Sequence, residues 1–273
     1  MWPVLCRIGG EGISSYGVLT AFGYLVGTLW LYSRRKEVDG SDAEFWALVF
    51  TLLLSAVLGA KLGYTLLDWD AASADPREAL AYWRMGWVFW PGLAAAFLGG
   101  WVFQQVYNRL YRPRRYLPVA DYFTTALALG HVFGRIGCFL EGCCYGRPTG
   151  LPWGVRFAHP ACAVDAALIG IPLHPTQLYE AAGEAALFFF FAHRVMPRIR
   201  EGRWRCGTAF FGYILLYSIL RFVIECFRAD PRGAFLLGLS PSQWFSLAGM
   251  LAAALALYRN GIIERDPNRS LYL

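Results

Sequence analysis

The sequence predicts an all-α integral membrane protein with seven transmembrane helices, its N-terminus outside and its C-terminus cytoplasmic. Three observations predict it. The 273 residues are 57% hydrophobic and only 16% charged, with a mean hydropathy of +0.39, a composition that soluble domains rarely show. Apolar runs of about 20 residues recur along the chain, each long enough to cross a bilayer core. The basic residues concentrate in alternate loops, as they do in membrane proteins of defined orientation.

The runs lie at roughly 14–33, 44–67, 87–108, 119–137, 177–196, 207–227 and 241–258. Pro91 and flanking polar residues blur the starts of the third and fifth. The first run lacks the basic n-region and cleavage site of a secretory signal and is expected to remain in the mature protein. Arg34, Arg35 and Lys36 follow the first span, and Arg109, Arg112, Arg114 and Arg115 follow the third. Arg194, Arg198, Arg200, Arg203 and Arg205 follow the fifth, and Arg259, Arg265 and Arg269 follow the last. The loop at 68–78 instead carries Asp68, Asp70, Asp75 and Glu78 against Arg77. This asymmetry sets the N-terminus outside. No linker or repeat interrupts residues 1–273, which predicts a single membrane domain with a small outer-surface segment between helices four and five. The pI near 9.0 reflects the topology and anionic inner-leaflet lipid, not nucleic acid. Trp and Tyr at 82–90 suit the interfacial belt. Glycines four apart (Gly23/Gly27, Gly59/Gly63, Gly130/Gly134, Gly142/Gly146) suit close helix approach in lipid.

Costly polar groups can then be given depths. Tyr16, Lys61, Arg135, His174, Glu180, Arg221, Glu225 and Arg228 all fall toward the outer leaflet boundary, a level at which an arginine needs a partner or an anion. Arg135 sits between Gly134 and Gly137. Arg221, Glu225 and Arg228 are spaced i, i+4, i+7 and are expected to share one helix face. They read either as an internal ion pair or, with Arg135, Lys61 and Arg147, as a basic pocket with few counter-charges. Guanidinium groups suit phosphate, and a phospholipid headgroup is the available anion. His174 opens the fifth span with Pro175 and Thr176 and is either a capping residue or a proton acceptor. His131 could equally be a packing residue, and His193 a surface one.

Cys138, Cys143, Cys144 and Cys162, with His159, crowd the outer segment. Their spacing matches no recognised zinc pattern, so no metal is expected. An oxidising compartment allows a disulfide, and small packing residues are the other reading. Cys6, Cys206 and Cys226 read as ordinary buried thiols.

The block Gly134-Arg135-Ile-Gly…Gly142…Tyr145-Gly146-Arg147 resembles the signature of the prolipoprotein diacylglyceryl transferase family of the bacterial plasma (inner) membrane. Ser15-Tyr16-Gly17, Lys61-Leu-Gly-Tyr64, Asp121 and His174-Pro-Thr-Gln-Leu-Tyr-Glu180 add to the resemblance. So do Tyr217…Arg221…Glu225-Cys-Phe-Arg228 and Ser242-Gln243-Trp-Phe-Ser246. The blocks keep the family's order over roughly residues 15–250. The resemblance implies transfer of the diacylglyceryl group of phosphatidylglycerol to the lipobox cysteine of a prolipoprotein signal peptide, giving a thioether and glycerol phosphate. It implies that Arg135 binds the headgroup and that Arg221, beside Glu225 and Tyr217, acts near the leaving phosphate. Tyr16 and Gly146 match positions the family needs. Arg147, Arg228 and Lys61 complete the expected substrate pocket, and neither metal nor organic cofactor is expected.

The chain departs from the family in two places. Trp90 stands where members commonly have a histidine, and Cys138 and Glu141 replace the signature's asparagines. If that histidine is the thiol base, His174, Glu141 or Glu225 must substitute for it. The alternatives are a divergent relative with another acceptor, a phospholipid-binding or transport protein, a receptor, and a structural subunit. The inner loops are too short and simply basic for a receptor, and few polar residues continue inward as transport requires.

Overall fold

The computed structural model describes residues 1–9, 11–38, 40–67, 69, 88–111, 116–230 and 235–262, with the backbone alone at Ile8, Glu11, Val38, Leu67, Phe89 and Trp90. Asp68, Asp70, Asp75, Arg77, Glu78, the aromatic residues at 82–87, Arg112, Arg114, Arg115, Arg265, Arg269 and the Trp90 side chain lie outside the described residues. The chain is mostly helical and forms two compact units, Met1–Arg34 with Leu117–Leu271, and Arg35–Tyr116.

The first unit opens on an antiparallel hairpin, β1 (Val4–Ile8) and β2 (Glu11–Ser14), that runs directly into α1 (Ser15–Ser33). Ser14 caps α1 by accepting from Gly17 N at 3.4 Å. The next helix of this unit is α4 (Tyr116–Glu141). It is followed by a segment holding the two-residue strands β3 (Val155–Arg156) and β4 (Pro172–Leu173), again antiparallel. Its small core is Tyr145, Phe157, Cys162, Val164 and Leu173. These strand pairs modify the all-helical expectation, which the long apolar runs dominate.

Three helical runs complete the unit. Helix α5 (Thr176–Phe190) passes through a π turn (Phe191–Val195) into the short α6 (Met196–Arg200). Pro197 lacks an N–H to donate back to the preceding turn, which accounts for the irregular register there. Helix α7 (Thr208–Glu225) begins at Gly207, which has no side chain for capping. Asp121 of α4 substitutes, accepting from Gly207 N at 2.7 Å and Phe210 N at 2.8 Å. Its burial is therefore structural. Helix α8 (Pro241–Asn260) starts with a capping box of Ser240 and Gln243 and with Pro241 in its first turn. Helices α1 and α4 cross where Gly23 meets Gly130. A Cβ on Gly23 would lie 2.5 Å from the Gly130 carbonyl oxygen, so only glycine permits that approach.

The second unit pairs α2 (Asp42–Leu67) with α3 (Phe89–Leu110), and Gly59 and Gly63 face Pro91 at their contact. Lys61 of α2 is 5% exposed.

Among the described residues, Asp42–Leu66, Tyr116–Glu141 and Thr208–Glu225 are long and apolar enough to cross a membrane. Only 22–33% of the most apolar stretch of each is buried within the chain. Phe50, Leu54, Leu127 and Val223 are among the large apolar side chains left facing outward. Surface of that extent suits lipid and not water.

Candidate active site

Three helices of the first unit each carry polar residues four apart, and these faces meet. From α4 come His131 and Arg135, from α5 Glu180 and Glu184, and from α7 Tyr213 and Tyr217. Arg135 Nη2 lies 3.0 Å from Glu180 Oε1, and Tyr217 Oη donates to the same oxygen at 3.0 Å. One turn along, His131 Nδ1 lies 2.6 Å from Glu184 Oε1, and Tyr213 Oη donates to Glu184 at 3.1 Å. The two layers are joined because Arg135 Nε donates to His131 Nε2 at 3.2 Å. That contact makes Nδ1 the protonated nitrogen, directed at Glu184. The rings of Tyr213 and Tyr217 stack at 5.7 Å. Glu180 and Glu184 are 1% and 0% exposed, and carboxylates so buried persist only when paired and hydrogen-bonded.

Helix α7 continues the same spacing through Arg221 and Glu225. Arg221 Nη2 lies 2.9 Å from Glu225 Oε2 and donates to Ser242 Oγ of α8 at 3.1 Å. Ser240 Oγ donates to Glu225 Oε1 at 2.5 Å, so the capping serine of α8 also fixes the carboxylate. Arg221 Nη1 is buried and has no hydrogen-bond acceptor among the described residues. An unmet guanidinium donor is costly, and an anionic oxygen arriving there would remove that cost. Arg221 also faces Glu180 and Tyr217 electrostatically, which links it to the Arg135 layer.

Arg228 does not share the helix face with Arg221 and Glu225. Helix α7 ends at Glu225, and Arg228 instead forms a bridge with Gly146 of the loop after α4. The apolar pattern continues through Phe227 and hides this end. Arg228 is clasped by Asp230, Nε to Oδ1 at 2.9 Å and Nη2 to Oδ2 at 2.8 Å. Burial opposes its charge, but Asp230 and Cys144 together outweigh it and raise the guanidinium above its ordinary value. The expected shortage of counter-charge is thus corrected. Glu180, Glu225 and Asp230 each take one arginine: the meeting of α4 with α5 brings Glu180 to Arg135, helix i, i+4 geometry brings Glu225 to Arg221, and a two-residue turn brings Asp230 to Arg228. Arg147 contacts a carbonyl, donating from Nε to Arg228 O at 3.3 Å. It lines a cavity of about 270 Å³ with Glu225, Cys226, Arg228, Phe235, Gly238 and Gln243.

The loop after α4 is held on both sides. Gly146 N donates to His174 O at 3.1 Å, and Arg147 N donates to Phe227 O at 2.8 Å. A Cβ on Gly146 would fall 2.5 Å from His174 O and 2.9 Å from Phe227 O, so glycine is required. His174 Nδ1 lies 3.1 Å from Tyr179 Oη, and its ring meets Phe227 edge-on at 5.3 Å. Tyr16, at the start of α1, lies with its backbone against Gly137 and faces Arg135, Cys138 and Cys143 electrostatically. Glu141 accepts from Ser14 Oγ at 3.0 Å, tying the end of α4 to the start of α1.

Most of the expected residues of the first unit therefore lie at or beside these helix ends, while Lys61 belongs to the second unit. The sequence reading put Glu180 at the outer boundary without a role, weighed His131 against a packing residue, and left Glu184 and Tyr213 out. Their signal was available, since three pairs of polar residues at i, i+4 inside apolar runs are expensive unless they face one another. The cysteines also differ from expectation. Cys138, Cys143 and Cys144 bring their sulfurs within 4.8 Å of one another, while Cys162 lies in the small core of the loop segment. Cys6 and Cys226 are exposed and Cys206 only partly buried. The first is on a short hairpin and the second just past the end of α7, positions that an apolar average conceals.

The family model for prolipoprotein diacylglyceryl transferase matches residues 3–259. A phosphatidylglycerol–prolipoprotein diacylglyceryl transferase of Clostridium tetani is 33% identical over 247 residues, covering 90% of this chain and 93% of that protein. A second such transferase, of Clostridium perfringens, is 31% identical over 255 residues, 93% of each chain. The transferase of Cupriavidus metallidurans is 30% identical over 95% of this chain and 94% of its own. With the signature loop, the Arg135–Glu180 pair and the Arg221–Glu225 pair in one unit, the chain belongs to the prolipoprotein diacylglyceryl transferase family.

Proposed function

We propose that this enzyme transfers the diacylglyceryl group of phosphatidylglycerol to the lipobox cysteine of prolipoproteins. The relatives' names supply the substrates, and the unpaired, buried Nη1 of Arg221 beside the Arg135 layer carries the reading from the geometry. The thiolate attacks the glyceryl carbon that bears the phosphate ester. The carbon–sulfur bond forms as the carbon–oxygen bond breaks, and glycerol phosphate leaves with the bonding pair. Charge grows on the phosphate oxygens during that step, so fixed guanidinium donors stabilise the transition state more than the ground state.

In this reading Arg135 binds the headgroup phosphate, held in place by Glu180 and Tyr217. Arg221, aligned by Glu225 and Ser242, meets the leaving oxygen. Arg147, Arg228 and Gly146 line the approach for the glycerol, and Tyr16 borders the headgroup. Glu141 acts through Ser14 to set the start of α1. His174 spends Nδ1 on Tyr179 and keeps Nε2 for the thiol proton. The basic loops support seven crossings, an outer N-terminus and an active site at the outer leaflet of a bacterial plasma membrane.

The test is to incubate purified protein with phosphatidylglycerol and a lipobox peptide and to weigh the peptide. A diacylglyceryl mass gain, absent when the peptide cysteine is serine, is expected. A folded protein that binds phosphatidylglycerol yet gives no gain would point to another acceptor.

A further inference from the structure

The loop that carries Gly146 also gathers three thiols that the reaction above does not use. Cys138 sits in the last turn of α4, and Cys143 and Cys144 follow the turn that ends it. Their sulfurs lie within 4.8 Å of one another. Three thiolates around one ion at about 2.3 Å stand about 4 Å apart, so the cluster is close to a trigonal set. A disulfide would use two sulfurs and leave the third over.

The arrangement is built and not incidental. Cys144 has φ 63°, a left-handed conformation unusual for a residue other than glycine. It is held there because Thr176 Oγ1 donates to Cys144 O at 2.7 Å, and Gln177 Nε2 donates to Cys143 O at 2.7 Å. Thr176 and Gln177 are each 1% exposed. Two buried side chains at the start of α5 thus fix the backbone that aims the thiols. The surrounding charge suits thiolates: Arg135 precedes Cys138 by three residues on α4, and Arg228 bridges to Gly146, two residues past Cys144. A divalent ion with three thiolates carries one net negative charge, which these guanidinium groups offset.

We propose that Cys138, Cys143 and Cys144 bind a thiophilic metal ion, Zn²⁺ in class, whose open fourth position takes the incoming acceptor thiol. Three protein ligands with one vacancy is the arrangement of zinc sites that act on a bound group. Binding the ion releases three thiol protons, and capture of the acceptor releases a fourth, so the acceptor is delivered as a thiolate. Cys138 follows Arg135 by three residues on α4 and so lies on the same side of the helix, which puts the captured sulfur beside the phosphate site. The identity of the fourth ligand rests on the transferase reading, whereas the metal site does not.

The experiment uses the full-length, reduced protein in detergent, titrated with Co²⁺. One equivalent is expected to bind, with the ligand-field bands of a tetrahedral thiolate site. It should protect three of the seven cysteines from maleimide. Replacing any one of the three by serine should weaken binding more than about 10-fold, with folding checked by circular dichroism. A lipobox peptide should then raise the thiolate-to-cobalt absorption by roughly one third, four thiolates in place of three, and its serine analogue should not. Binding no better than that of the triple serine variant, or no protection of the three thiols, overturns the site. An unchanged spectrum with the cysteine peptide, in protein that still alkylates that peptide, overturns thiol capture. Failure of the transferase reading shows separately, as absence of the alkylated peptide from metal-free and metal-loaded protein alike.

Discussion

At the residue scale, the consequence of burying Arg135 with Glu180 is that neither can be removed alone without stranding the other. Glu180→Ala should destabilise the protein by about 3–5 kcal/mol, the cost of an uncompensated buried charge, read as a shift in detergent unfolding midpoint. A loss below 1 kcal/mol would show the pair to be weak. Tyr217→Phe removes one hydrogen bond to Glu180 and keeps the stacked ring. It should cost about 1–3 kcal/mol in kcat/KM, roughly 5- to 150-fold, with little change in stability. Equal losses in stability and rate would make Tyr217 a packing residue. Arg135, Arg221, Glu225 and Tyr217 were legible in the sequence because ionisable groups inside apolar runs are rare. Glu184 and His131 were legible only as members of i, i+4 pairs, because each reads singly as a satisfied interior residue until its partner on another helix is seen. Asp121 is the converse case, a conspicuous buried acid whose work is to cap α7.

At the element scale, hydrophobic periodicity located the helices to within a few residues and missed what happens at their ends. The β1–β2 hairpin escaped because five- and four-residue strands carry little periodic signal, although Gly9-Gly10 between them is a turn signature. The end of α7 escaped because Cys226 and Phe227 prolong the apolar pattern. The helix stops where the chain turns to pair with the Gly146 loop, with Ala229 N donating to Tyr145 O at 3.2 Å. No single segment's sequence encodes a pairing between segments 80 residues apart. That pairing makes Gly146 critical. Gly146→Ala sets a methyl against two carbonyl oxygens and should separate the loop from His174 and Phe227. The expected result is activity lost at least about 100-fold with the helices intact by circular dichroism. Retained activity would mean that the loop yields without consequence for the site.

At the scale of the whole molecule, orientation decides which substrate pool the enzyme meets. The hairpin thiol Cys6 is exposed and belongs to the outer side in the proposed topology, whereas Cys206, before α7, belongs to the inner side. In intact spheroplasts, a variant retaining only Cys6 should react with an impermeant maleimide. One retaining only Cys206 should react only after permeabilisation, and the reverse pattern would invert the topology. The central claim is that the crossing of α4, α5 and α7 is the phosphate site. The double variant Arg135→Gln with Glu180→Gln tests it most directly, because it removes the pair without stranding a charge. Peptide diacylglyceryl transfer by that variant should fall by about 10²- to 10³-fold while the protein stays folded. A folded double variant with undiminished transfer would contradict the account.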